Sequence, residues 1–189
     1  MSTAAIILSI VYVIVLTSYT VPRSIGLEPK DSSSPPRRLG IASVYGLTQG
    51  VMAILGMLLG SLMGYLFASM GCYMVFAMML VVTLRMFLDS MRVLKGKMLF
   101  TFSSNWGFLL LALLSGMNTF LMTIFGPFFL PFGRWFYVIV SVAAFLWAFF
   151  TLGITYSPKA MKNVSFVEFS ASVFMLVIAL LYMFSDILQ

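Results

Sequence analysis

The sequence predicts an all-α integral membrane protein of six transmembrane helices, forming a single transmembrane domain over residues 1–189. Two observations carry this reading. The chain is 62% hydrophobic and 8% charged, where soluble domains average about 25% charged. It also contains six long apolar runs, and about 20 apolar residues suffice to cross a ~30 Å hydrocarbon core.

The runs cover 3–21, 41–67, 72–94, 107–130, 135–154 and 164–185. The first has no basic side chain in its opening residues and no small-x-small cleavage site after its apolar run and before Pro22, so it is expected to remain as a helix and not to be cleaved as a leader. The second carries a glycine ladder, Gly46, Gly50, Gly56, Gly60 and Gly64, in which neighbours four apart share a helix face. Such faces let backbones approach closely. Packing within the bundle and homodimerisation both fit this pattern.

The third run is rich in methionine, with Met70, Met74 and Met78 at four-residue spacing. Thioethers suit soft ions, but without histidine and with one cysteine, Cys72, space filling is the expected role. Arg85, Asp89 and Arg92 follow at spacings of one helical turn and form a structural charge cluster. The fourth run holds Ser115, Asn118, Thr119 and Thr123 among leucines. The fifth is aromatic, as expected for lipid contact. The sixth contains Glu168, expected at the membrane interface within reach of Lys162.

The five acids are Glu28, Asp31, Asp89, Glu168 and Asp186, and the apolar reading places none near the middle of a run. Basic residues are asymmetric. Arg23, Lys30, Arg37 and Arg38 precede the second run, Arg92, Lys95 and Lys97 follow the third, and Lys159 and Lys162 precede the sixth. The opposite loops carry only Arg134. The positive-inside rule then puts these three loops in the cytoplasm and both termini outside, in the inner (cytoplasmic) membrane. The net charge of +6 is accordingly assigned to topology and anionic lipid, not to nucleic acid. The absence of histidine, of a phosphate-binding glycine loop and of a nucleophile–base pair argues against an enzyme, and no cofactor is expected.

Several stretches resemble the MntP manganese efflux pump family of the LysE superfamily. Ser24-Ile25-Gly26, Tyr45-Gly46 through Gly56 and Gly60, Arg85-Met86 with Asp89, and Leu114 through Thr119 carry the likeness. It is best over 17–96 and weaker through 130, and the last two runs match only in hydropathy and Thr151-Leu152-Gly153. The resemblance implies two inverted three-helix halves, 1–94 and 107–189. It also implies a metal site built from acids on the first, second and fourth helices. In register those acids are replaced by Tyr19, Gln49 and Asn118, with Thr20 and Thr119 beside them. These residues form the candidate substrate site. They are neutral, whereas a divalent manganese site relies on carboxylate, carbonyl and water ligands.

Two functions follow as expectations. One is a non-transporting membrane subunit or scaffold of a larger assembly, or a homo-oligomer, whose old metal site has been neutralised. The alternative is a transporter of an ion or small polar solute, including residual manganese or cation efflux.

Overall fold

The computed structural model describes residues 3–20, 35–67, 71–95, 107–124, 135–152 and 158–187. These form six α-helices: α1 (Thr3–Thr17), α2 (Pro35–Phe67), α3 (Gly71–Leu94), α4 (Gly107–Ile124), α5 (Phe136–Thr151) and α6 (Pro158–Ile187). A 3-10 turn, Ser18–Thr20, continues α1. The stretches Pro36–Met63, Tyr73–Leu94 and Lys159–Leu181 are long and apolar enough to cross a membrane, while α4 and α5 are shorter apolar helices.

Two helices start earlier than the apolar runs suggest. α2 begins at Pro35 and α6 at Pro158. Proline suits a first turn because its missing N–H would have no intrahelical partner there. The early starts bring Arg37, Arg38, Lys159 and Lys162 onto the opening turns. A charge ends an apolar run, but it does not end a helix. α1, by contrast, stops sooner than expected. Thr17 donates to the Val13 carbonyl at 2.7 Å, Ser18 to Val15 at 2.7 Å and Thr20 to Thr17 at 2.8 Å. Hydroxyls that bond back to the chain compete with the helical ladder, and the backbone tightens into the 3-10 turn. The expected ends of the fourth and fifth runs, at 130 and 154, lie outside the described residues.

α2 packs along α4 and α5, and α3 packs along α6. α1 contacts α4, α5 and α6, its 3-10 turn reaches the same three helices, and α3 touches α4 more lightly. The glycine ladder explains the closeness of α2 to its neighbours. A Cβ on Gly46 would lie 2.9 Å from the Ser141 carbonyl oxygen, and one on Gly50 would meet the Ser141 side chain, so both glycines face α5. A Cβ on Gly56 would lie 2.6 Å from the Phe120 carbonyl oxygen, and one on Gly60 would collide with that of Ile124, so these two face α4. Four rungs are therefore used inside the chain's own bundle and are not available to a second copy. The surroundings of Gly64 lie outside the described residues.

The main core gathers Tyr12, Leu16, Met79, Met86, Met122, Phe136 and Met175. Methionine does fill space here, but on a different stripe from the four-residue series. Met74 is exposed, Met78 half-buried, and Met70 outside the described residues. Val75, Met79, Val82, Met86 and Val93 face inward instead.

α3 and α6 run antiparallel. Val93 clusters with Met161 and Val164, the Ser165 hydroxyl donates to the Ser90 carbonyl at 2.9 Å, and the Phe87 and Phe169 rings lie 5.8 Å apart. Ile41, Ala42, Leu111, Ala112 and Leu152 join the starts of α2 and α4 to the end of α5. Trp147 links this end to Val93 and Met161. Arg37, Arg38, Arg92, Lys95, Lys159 and Lys162 thus lie toward one end of the bundle. Ser165→Ala removes one interhelical hydrogen bond and is expected to lower stability by about 1 kcal/mol. A thermal-unfolding midpoint unchanged from the parent chain would refute that role.

Candidate functional site

The polar residues that sequence reasoning selected meet where α2 crosses α4. Gln49 on α2 is 1% exposed. Its Nε2 donates to Ser115 Oγ at 2.5 Å, and Thr119 Oγ1 donates to its Oε1. Ser115 and Thr119 are four apart, so one face of α4 presents both hydroxyls. The rungs that face α4, Gly56 and Gly60, hold α2 close enough for the Gln49 amide to span the gap. Both ends of the Gln49 amide are satisfied, and the pair of bonds fastens α2 to α4. Leaving such an amide unpaired in an apolar interior would cost roughly 2–7 kcal/mol.

Asn118 sits one residue from Thr119 and is 1% exposed. Among the described residues neither its Oδ1 nor its Nδ2 has a hydrogen-bond partner. It is the open member of the cluster. Thr20 is fully buried, but its hydroxyl hydrogen is engaged with its own turn. Tyr19 lies in that turn, and its side chain lies outside the described residues, as does that of Cys72. The structure therefore joins Gln49 directly to Thr119, places Asn118 beside them and brings the 3-10 turn against α4.

No protein-family profile, curated protein or solved structure matches this chain.

The site's chemistry is thus read from its own groups. Gln49, Ser115, Asn118 and Thr119 offer neutral donors and acceptors and no formal charge. Among the described residues no three His, Cys, Asp or Glu side chains are grouped to hold a metal. In the charge cluster, Asp89 is 7% exposed and accepts from Arg92 at 3.5 Å, while the Arg92 side chain is 65% exposed. A pair so long and so exposed on one side contributes little, about 0–1 kcal/mol. Arg85 is half-buried on the same helix.

Glu168 overturns an expectation. It is fully buried, and it falls near the centre of the Lys159–Leu181 span. The early start of α6 is the cause. With a rise of 1.5 Å per residue, Glu168 stands ~15 Å along the helix from Pro158. Lys162 is exposed on another side of the helix, since six residues turn it through about 240°. The expected interfacial pair is therefore not supported by the helix geometry, and one acid does lie mid-helix. The missed signal was a stripe: Met161, Ser165, Glu168, Ser172 and Met175 recur at spacings of three and four, and all five are buried.

Proposed function

We propose that this chain is a multi-pass protein of the inner (cytoplasmic) membrane, with an MntP-like arrangement of two inverted halves and a neutralised metal site. It serves as a non-transporting subunit or scaffold of a larger membrane assembly. The observation that carries this reading is the Gln49 amide. The position where a related pump would hold a carboxylate is occupied by a neutral group bonded at both ends to α4.

Helix contacts support the two halves. Exchanging α1, α2 and α3 with α4, α5 and α6 turns the α2–α4 contact into α5–α1 and the α1–α6 contact into α4–α3. The α2–α5, α3–α6 and α1–α4 contacts map onto themselves. Every interhelical contact described above has its counterpart under this exchange. A rocking transporter moves one repeat or bundle against the other. Here α2 of the first half is sealed by glycine contacts to α4 and α5 of the second, which favours a fixed bundle. The basic end supports a cytoplasmic surface held against anionic lipid, with both termini on the other side.

Gentle purification from native membranes is expected to recover the chain in fixed stoichiometry with other membrane subunits. A monodisperse chain that moves an ion by itself in liposomes would overturn the scaffold reading. A second reading, transport of an ion or small polar solute, including residual manganese efflux, rests on Asn118. An amide buried with both ends open among the described residues is where a small polar ligand would bind.

A further inference from the structure

We propose that the outer groove between α2 and α4 holds one anionic phospholipid, with an acyl chain in the groove and the headgroup at Arg37 and Arg38. The proposal rests on the reading of the chain as a membrane protein with its basic end at the bilayer surface, and not on the assembly it joins.

Two apolar walls build the groove. Leu110, Leu113, Met117 and Phe120 recur on α4 at spacings of three and four, and Met52 and Leu55 stand opposite on α2. Gly116 lets the walls meet at the floor, since a Cβ there would lie 2.8 Å from the Met52 side chain. The groove has a volume of about 630 Å³. Leu55, Leu110, Leu113 and Met117 are exposed along it, so it opens outward and not into the core. Its lining is apolar throughout, which suits a hydrocarbon chain and not a polar solute.

Length and depth match a single chain. α2 and α4 run in the same direction from the basic end, since Leu111 clusters with Ala42 and Tyr45 while Gly60 meets Ile124. The ten residues from Leu110 to Phe120 rise about 15 Å. That is half of the ~30 Å hydrocarbon core, the depth of one leaflet. The far end of the groove, at Leu55 and Phe120, falls at the middle of the apolar run 41–67. A partner's transmembrane helix would call for a groove that crosses the whole core. This one stops halfway, as an acyl chain does.

Charge completes the site. The near end of the groove is level with Val44, because Leu111 packs with Ala42 and Tyr45. Arg37 and Arg38 stand about 10 Å beyond it on the opening turn of α2. Glycerol and phosphate groups, together with the long arginine stems, cover that distance. The two arginines also share the groove side of α2: five whole turns separate Arg37 from Leu55, and Met52 lies within about 40° of Arg38. Arg37 is exposed and Arg38 half-buried. Each has an interaction within the chain, but a guanidinium carries five donors in a fork that fits phosphate oxygens, so it can serve a headgroup as well. Neither α2 nor α4 contains an acid, and the charge that these two helices bring to the groove is therefore positive.

Native mass spectrometry tests the site on the full chain, purified in mild detergent after equilibration with equal amounts of phosphatidylglycerol and phosphatidylcholine of the same acyl chains. One phosphatidylglycerol per chain is expected to stay bound when phosphatidylcholine has been lost. Arg37→Gln with Arg38→Gln should weaken that retention roughly thirtyfold, the effect of two basic residues at a membrane surface. Met117→Trp, which fills the groove from its exposed side, should displace the lipid with both arginines intact. Lys159→Gln with Lys162→Gln removes two charges from the same end of the bundle but from α6, and should leave retention unchanged. Equal retention of the two lipids, equal loss in the two charge variants, or full retention in Met117→Trp would each overturn the proposal. A second copy seated in the groove would overturn it too, and would show as a dimer that Met117→Trp dissolves. Flotation of the same variants with liposomes tests the membrane reading separately, so that the failure of one is not mistaken for the failure of the other.

Discussion

Gly60→Leu is expected to abolish the folded bundle. A Cβ at this position already collides with the backbone carbonyl of Ile124, and a carbonyl on a helix cannot rotate away as a side chain can. Overpacking by added methylenes in a dense core costs about 1–3 kcal/mol, and a clash with backbone lies at or above the top of that range. The same helix supplies its own control. At Gly40 nothing lies within 4 Å of the place an added methyl would take, and replacing glycine by alanine inside a helix gains up to about 1 kcal/mol. Gly40→Ala should therefore leave the chain as stable as before or more so. Size-exclusion profiles and thermal midpoints in detergent measure both. Equal tolerance at the two sites would mean that α2 does not lie against α4 as described.

Restoring the acids should create a response to manganese that the natural chain lacks. Tyr19→Asp, Gln49→Glu and Asn118→Asp together return carboxylates to the positions that the family resemblance marks. Gln49→Glu would accept hydrogen bonds from Ser115 and Thr119, whose hydroxyls already meet the Gln49 side chain. Without metal, the added charges are expected to lower the thermal midpoint. Ligand binding at 100 times Kd stabilises a fold by about 2.7 kcal/mol, so a working site would raise the midpoint of the triple variant by several degrees. The unaltered chain should show no such rise. A manganese-dependent rise in the unaltered chain, or manganese tolerance conferred by it on cells, would mean that the site was never neutralised.

The helical architecture was legible because its signal is redundant. Each apolar run repeats the same information over some twenty residues, and all six expected helices occur among the described residues. Their boundaries were harder, since hydropathy marks where apolar surface ends and Pro35 and Pro158 extend helices past that point. In the site, Gln49 and Thr119 were identifiable as deep polar residues, and the structure bonds them to each other. Ser115 was visible as a polar residue, but not its place as the second anchor of Gln49, because the rotation of α4 against α2 is set by packing. Glu168 was misplaced for a related reason. Distance from a charged flank is a poor measure of depth, because depth depends on where the helix begins and which stripe faces its neighbours.

The pairing of early helices with late ones also constrains how the chain is made. Gly60 meets Ile124, and Ser90 meets Ser165, so α2 and α3 emerge from the ribosome well before the surfaces that cover them. Until α4 and α6 have been made, the small-residue face of α2 and the inward face of α3 lack the surfaces that cover them. Neither three-helix half can complete its packing alone. The bundle can therefore close only after its last helix has been made.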